Sequence, residues 1–248
     1  DDDPTAPPVA SNPTSSILTT TTAARSGPTT TVPPGIAEEF ATNLAARSEA
    51  AAQRLVQLTA TASLARGYIE HQIAALSVLP EQPLGRVDNS ASNEVVVCDP
   101  TPTGGNCRTF GNFAVGADGL LTDFEIDGQS LEGRLLVGGR SGIDQSVTVT
   151  VVSAYLTIPA DELVIVIDVT NQADDVALIN GFAAVHRSSV GAEFEVTSVF
   201  GADEVAPGAT SRAILVFAGG TIGGVLTVPA SSSDFTTTFE IAIELLEP

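Results

Sequence analysis

The stretch that most limits the folds open to this chain covers residues 146–217, where several β-strands are predicted with short turns between them. Its clearest strand is residues 163–171, LVIVIDVTN, in which β-branched residues favour extended backbone. Further strands are predicted at residues 147–151, 176–185, 192–200, 210–217 and 235–245. Short strands separated by turn residues predict an antiparallel β-sandwich. The alternation of apolar and polar residues predicts that one face of each sheet is solvated.

A second pattern predicts one long amphipathic helix over residues 35–80, which has Glu38 and Glu39 in its first turn. An unbroken helix of that length would span about 65 Å and outreach a sandwich domain. It therefore breaks at Gly67, packs in a coiled coil with another chain, or folds back on its own β-domain. The apolar seam is a candidate interaction surface, formed by Phe40, Leu44, Leu55, Leu58, Ile69, Ile73 and Leu76.

Residues 1–34 are rich in Thr, Pro and Asp and predict an extended tether without a core of its own. The segment resembles the linker that follows the lipidated cysteine in actinobacterial lipoproteins. That resemblance implies membrane contact only through a lipid anchor, which is absent from this chain. Residues 17–22 are β-prone and suited to adding a strand to another sheet edge. The chain has no Met, which leads us to expect a processed N-terminus.

Cys98 and Cys107 flank a turn-rich loop, and Pro and Gly within it bring its ends together. We expect a disulfide, which implies an oxidising, extracytoplasmic compartment. The alternative is a pair of reduced thiols on neighbouring strands, and a metal site is less favoured because neither histidine is near in sequence. Short strands around this loop predict a hairpin-rich layer over residues 81–145.

The charge balance argues against several classes of partner. The chain carries 30 acidic and 10 basic residues, for a net charge of −20, and every basic residue is Arg. Such a surface repels nucleic-acid phosphates and anionic membranes, whereas it suits cations or basic partners. No stretch approaches the roughly 18 apolar residues that a membrane-spanning helix needs.

Little in the sequence points to catalysis. Only two histidines occur, and we expect His71 and His186 to be surface or capping residues. Residues 219–224 are Gly-rich but do not open a helix, so they predict a flexible hairpin rather than a phosphate loop. Carboxylates at predicted strand ends offer oxygen ligands for calcium, but they lack EF-hand spacing and are expected in solvated turns. We expect no enzyme activity, no cofactor and no metal.

The end of the strand at Asp168-Val169-Thr170-Asn171, followed by an Asp-rich turn and by residues 206–210 leading into residues 213–217, resembles bacterial immunoglobulin-like domains. The resemblance covers residues 146–247. It implies a sandwich fold and a secreted or lipoprotein location. It brings no catalytic residues.

Together these features predict a mainly β protein with an immunoglobulin-like β-sandwich at residues 146–248, preceded by the hairpin layer, the long helix and the tether. We expect a non-enzymatic structural or interaction protein, either a tethered lipoprotein or an accessory subunit of a surface or membrane complex. It would bind a protein partner or its own copies through the tail and helix. The alternative is a subunit of an extracellular filament or surface layer. A secreted ligand-binding protein or enzyme is less favoured.

Overall fold

The computed structural model describes residues 33, 35–79, 84–91, 93–99 and 106–245, so nearly all of the predicted tether lies outside this part of the chain. Three helices open the described part: α1 (Ile36–Ala46), α2 (Glu49–Leu58) and α3 (Leu64–Leu76). None of these helices is long and apolar enough to cross a membrane.

The strands form two antiparallel sheets, which confirms the prediction of a mainly β fold. The first sheet has the order β1-β2-β3-β4-β5 and consists of Arg86–Ala91, Glu94–Cys98, Cys107–Val115, Leu121–Ile126 and Gln129–Ser130. The second contains β6 (Leu135–Asp144), β7 (Val147–Leu156), β8 (Glu162–Asn171), β9 (Ala177–Ile179), β10 (Val185–Arg187), β11 (Glu193–Gly201), β12 (Glu204–Val205), β13 (Thr210–Ala218), β14 (Gly224–Ser232) and β15 (Thr238–Leu245).

The second sheet folds over to make a β-sandwich-like body because β11 belongs to both of its layers. Its first residues pair with β10, whereas its later residues pair with β13. One layer then continues β13-β8-β7-β6, and the other contains β10, β14, β9 and β12, with β15 also paired to β14. Between the layers lies an apolar core that includes Leu163, Ile165, Leu215, Phe217, Leu226 and Ile243.

The strand β8 is covered on both faces, so the expectation of a solvated outer face is wrong here. Ile165 and Ile167 are fully buried in the sandwich core. Val166 points the other way and is also fully buried, because Ala74 and Ala75 of α3 pack over it. The unbroken apolar run at the start of this strand reflects a strand between two apolar surfaces.

The predicted single long helix is divided into three, and serine caps mark both divisions. Arg47 takes a left-handed conformation (φ 46°) and ends α1. The hydroxyl of Ser48 then accepts a hydrogen bond from the Ala51 amide at 3.2 Å and starts α2. Ser63 caps α3 in the same way. The helices fold back on the protein's own β-layers.

Gly67 is not a breakpoint, because it lies inside α3. A Cβ at this position would come within 3.0 Å of Cγ2 of Val137, so glycine allows α3 to lie close to β6. The strand β6 pairs with β7 in the larger sheet, although it falls within residues 81–145, where a separate hairpin layer was predicted.

Arg66 fixes the corner between α2 and α3. Its Nε donates to the Thr59 hydroxyl at 2.8 Å, and Nη2 donates to the Thr59 carbonyl at 2.6 Å and to the Val56 carbonyl. The final carbonyls of a helix have no partner within the helix, so this guanidinium satisfies groups that would otherwise need water. The side chain is only 17% exposed, which strengthens these charged hydrogen bonds.

We predict that Arg66→Gln lowers the free energy of unfolding by about 2 kcal/mol, because hydrogen bonds to charged groups contribute about 1.5–3 kcal/mol. Urea unfolding followed by circular dichroism measures the change. Arg54→Gln is the matched control, since Arg54 lies on α2 in an exposed ion pair with Glu39. That control should cost no more than about 1 kcal/mol. Equal losses in the two variants would contradict the capping role of Arg66.

Candidate functional site

A cleft of about 310 Å³ opens between the three helices and the end of the first sheet that carries the disulfide. Its floor is apolar and its rim is polar, a combination typical of small-molecule sites. The floor includes Leu44, Leu55, Ile69, Ile73, Leu76, Val97 and Phe110. The rim includes Asn43, Arg47, Ser48, Gln72, Asp99, Asn106 and Arg108.

Four residues of the predicted helix seam lie in the core between the helices and the first sheet. Phe40 is fully buried, and its ring lies 5.0 Å from that of Phe124 and 5.7 Å from that of Phe113. Leu55, Leu58 and Ile69 are also buried there. These side chains therefore contact the protein's own β-layer.

The other three seam residues, Leu44, Ile73 and Leu76, are only partly buried and face the cleft. The seam thus divides into a buried part and a part that borders an open cavity. Between them, Leu55 and Ile69 belong to the core and also form the floor of the cleft. This arrangement leaves apolar surface at the cleft that the described chain covers incompletely.

The cleft rim carries two guanidinium groups. Arg47, at the corner between α1 and α2, forms an ion pair with Asp99. Arg108, on β3, contacts Asp127 at 3.5 Å. Burial, with a further contribution from Tyr155, raises the pKa of Tyr68 well above its usual range, while the guanidinium groups of Arg108 and Arg47 oppose that shift. Tyr68 therefore keeps its proton and remains a hydrogen-bond donor beside the charged rim.

The disulfide predicted between Cys98 and Cys107 is confirmed, with an S–S distance of 2.05 Å and the two residues directly opposite each other on β2 and β3. An oxygen of Asp88 lies 3.2 Å from Sγ of Cys98, but a disulfide sulfur has no proton to donate. These three residues form the one potential metal-ligand cluster in the described part of the chain. The disulfide removes both thiolates from it.

Both histidines are buried, so the prediction of surface or capping positions is wrong. His71 is 2% exposed, with Nδ1 2.9 Å from the Ser153 hydroxyl, because α3 presses this face against β7. His186 is fully buried, and its Nε2 donates to the Gly223 carbonyl at 2.7 Å. Phe194 stacks on its ring at 5.7 Å.

The histidine environments favour the neutral ring. Burial lowers the pKa of His71 to about 4. Burial also lowers the pKa of His186, while the hydrogen bond to Gly223 opposes that shift. Ser153 is 1% exposed, so the Ser153–His71 pair offers no surface to a substrate.

Two of the strand-end carboxylates considered for calcium, Asp168 and Asp161, form ion pairs. Asp168 receives a bidentate contact from Arg212 at 2.7 and 2.9 Å, and the same guanidinium donates to the Ser77 hydroxyl beyond α3. Asp161 pairs with Arg134 at 2.9 Å. These contacts connect β-strands to each other and to the helices.

Sequence reasoning missed the charged rim of the cleft. Arg47 and Arg108 are far apart in sequence, and no spacing rule connects them. The signal that was available lay at Ser48, because a serine followed by Glu49 marks the start of a helix. A break there places Arg47 at a corner rather than on a continuous helix face.

No known family matches this chain, and no curated protein matches it. A functionally unknown protein from Listeria monocytogenes EGD-e is similar at 11% identity and a TM-score of 0.30, over 48% of this chain and 90% of that one. An ApaG protein from Pseudomonas aeruginosa PAO1 is similar at 15% identity and a TM-score of 0.20, over 44% and 94%. Similarities this weak assign neither a fold family nor a function.

We predict that His71 makes stability fall on acidification. Its pKa is about 6.5 in the unfolded chain and about 4 in the folded protein, so between these values only the unfolded chain binds the proton. The free energy of unfolding therefore falls as pH drops from 6.5 to 4, by about 3 kcal/mol in total, and this contribution is constant above pH 6.5.

Chemical denaturation at several pH values tests this prediction, with the His71→Gln variant expected to lose less stability over the window. Ser153→Ala is the control, because it removes the hydroxyl partner and leaves the ring buried. It should lower stability by about 1 kcal/mol at every pH and retain the slope. An identical pH slope in the wild type and in His71→Gln would show that His71 is not the titrating group.

Proposed function

We propose that this chain is a non-enzymatic interaction protein outside the cytoplasm, held at the cell envelope through its N-terminal segment. The observation that carries the location is the Cys98–Cys107 disulfide, because such bonds form and persist in oxidising compartments. The net charge of −20 argues against a nucleic-acid partner. A β-sandwich body suits a rigid scaffold that presents surfaces to a partner.

The proposed class of the sandwich is immunoglobulin-like, and Asn171 supports it. This side chain is fully buried at the end of β8, where its amide donates to the carbonyls of Asp175 at 2.7 Å and Val205 at 2.9 Å. Its carbonyl oxygen accepts from the Ala173 amide at 2.9 Å. The Val-Thr-Asn ending that resembles bacterial immunoglobulin-like domains therefore ties the following turn to β12.

The accessible chemistry favours binding over catalysis. The cleft has no histidine among its described lining residues. Its carboxylate, Asp99, is paired with Arg47, and Tyr68 is held protonated by burial. A general base needs a basic group within reach of the proton that it removes, and neither of these groups offers one.

The N-terminal segment is the proposed route to a partner or to further copies of the chain. Most of the helix seam contacts the protein's own sheet, which leaves little of it for a coiled coil. Residues 1–32 are outside the described residues and precede α1 in the sequence. A Thr- and Pro-rich tether that reaches a membrane or a neighbouring protein fits that position.

We predict that both cysteines are oxidised in the cells that make the protein. Alkylation before lysis should add no label to the chain, whereas alkylation after reduction should add two, as judged by intact mass. A cytoplasmic protein with exposed thiols serves as the labelling control. Two labels before reduction would contradict the extracytoplasmic location.

We also predict that removal of residues 1–32 abolishes partner binding or self-association without unfolding the body. The core lies within the described residues, so the melting temperature should stay within a few degrees of that of the full chain. Sedimentation of both forms, alone and with an envelope extract, measures association. Equal behaviour of the two forms would contradict the role of the segment. A polymer formed by the purified full chain alone would favour the filament alternative.

A further inference from the structure

The cleft between the helices and the first sheet has features of a ligand site that the proposed scaffold role does not require. Its volume of about 310 Å³ is near the lower end of small-molecule pockets, which run from about 300 to 1,000 Å³. Leu44, Ile73 and Val97 border it and remain partly exposed. An apolar molecule bound in the cleft would cover apolar side-chain surface that is otherwise exposed to water.

The charges at the rim determine which polar group a ligand would carry next to the part that fills the apolar floor. The chain has only ten basic residues, and two of them, Arg47 and Arg108, lie at this rim. We propose that the cleft binds a small apolar molecule that ends in a carboxylate. A guanidinium is planar and presents paired N–H donors, a geometry that matches a carboxylate.

Both guanidinium groups can donate hydrogen bonds to a ligand carboxylate. The contact of Arg108 with Asp127 is long, at 3.5 Å, so most of its five donors are not committed to that partner. Arg47 pairs with Asp99, whose side chain is 47% exposed, so a ligand carboxylate would compete with an ion pair that borders water. The pair already lies at the boundary between the apolar floor and water, where an amphipathic molecule would place its head.

Two further groups favour an anion at this position. Ser48 starts α2 at the rim, so the positive end of that helix dipole faces the same region. The Tyr68 hydroxyl, kept protonated by burial, adds a neutral donor. A ligand cation would meet two guanidinium groups and one carboxylate that is already paired.

Titration of the full ¹⁵N-labelled protein with octanoate, below its micelle concentration, tests the proposal. We expect saturable shifts of amides around the cleft, including those of Arg47, Gln72 and Arg108. Octanol has the same chain without charge and should bind at least about tenfold more weakly, because it cannot form the charged hydrogen bonds. Octylammonium should cause no saturable shift.

Two pairs of variants locate the site. Arg108→Gln should weaken octanoate binding about tenfold or more, whereas Arg187→Gln, an exposed arginine on β10, should not change it. Ala52→Leu fills the cleft from α2 and should abolish binding. Ala50→Leu adds the same volume on the exposed side of that helix and should leave binding intact. Melting temperatures verify that each variant is folded.

Three results would overturn the proposal. The first is no saturable shift with octanoate. The second is equal affinity for octanoate and octanol together with an unchanged Arg108→Gln variant, which would show an apolar groove without carboxylate recognition. The third is a shift of the cleft amides on removal of residues 1–32 without added ligand, which would show that the N-terminal segment of the chain occupies the cleft. None of these results depends on the cell location or on a protein partner.

Discussion

The packing of α3 between two β-layers is the contact on which the rest of this structure depends. The first half of the helix inserts Tyr68 and Ile69 into the core of the first sheet, and its last turns place Ala74 and Ala75 on the outer surface of the sandwich. Small residues make this double contact geometrically feasible, as Gly67 does against β6. Because both cores share this helix, we infer that the described body unfolds as one cooperative unit rather than as separate layers.

The sequence predicted the β-sandwich better than it predicted the helices, for physical reasons. The alternation of apolar and polar residues and the presence of turn residues are signals within a short stretch of sequence. Strands such as β8 and β13 could therefore be located within a few residues. The helix breaks were missed because the apolar spacing continues across Arg47 and across residues 59–63. All three helices bury apolar residues in the same core, so the apolar spacing continues along the sequence even though the backbone turns between the helices. Only the capping serines at 48 and 63 carried the signal for a break.

The cleft could not be predicted from the sequence because it forms only where the three helices pack against the first sheet. It exists where α1 ends in a left-handed residue and the chain turns away before the first sheet is fully covered. The disulfide adds a constraint at the same place, since Cys98 precedes Asp99 and Cys107 precedes Arg108. Cross-linking β2 to β3 therefore fixes the positions of two charged residues of the rim, Arg108 on β3 and Asp99 directly after β2. The Cys98–Cys107 disulfide therefore contributes both to the stability of the fold and to the geometry of the candidate site.

The charge composition connects these features. In the described part of the chain, eight arginines form an ion pair with a carboxylate, and several of them also join separate elements. Arg212 connects β13 to β8 and to the end of α3, and Arg66 closes the corner of α2.

A chain with 30 acidic and 10 basic residues repels itself at neutral pH. Planar guanidinium groups with several donors suit such a chain, because each can neutralise a carboxylate and satisfy backbone carbonyls together. Arg66 and Arg212 each donate several short hydrogen bonds, at 2.6 to 2.9 Å. The contact of Arg108 with Asp127 is long, at 3.5 Å, and Arg108 faces a cavity. Of the two arginines that line the cleft, Arg108 therefore has more N–H donors available for a ligand than Arg47, which is paired with Asp99.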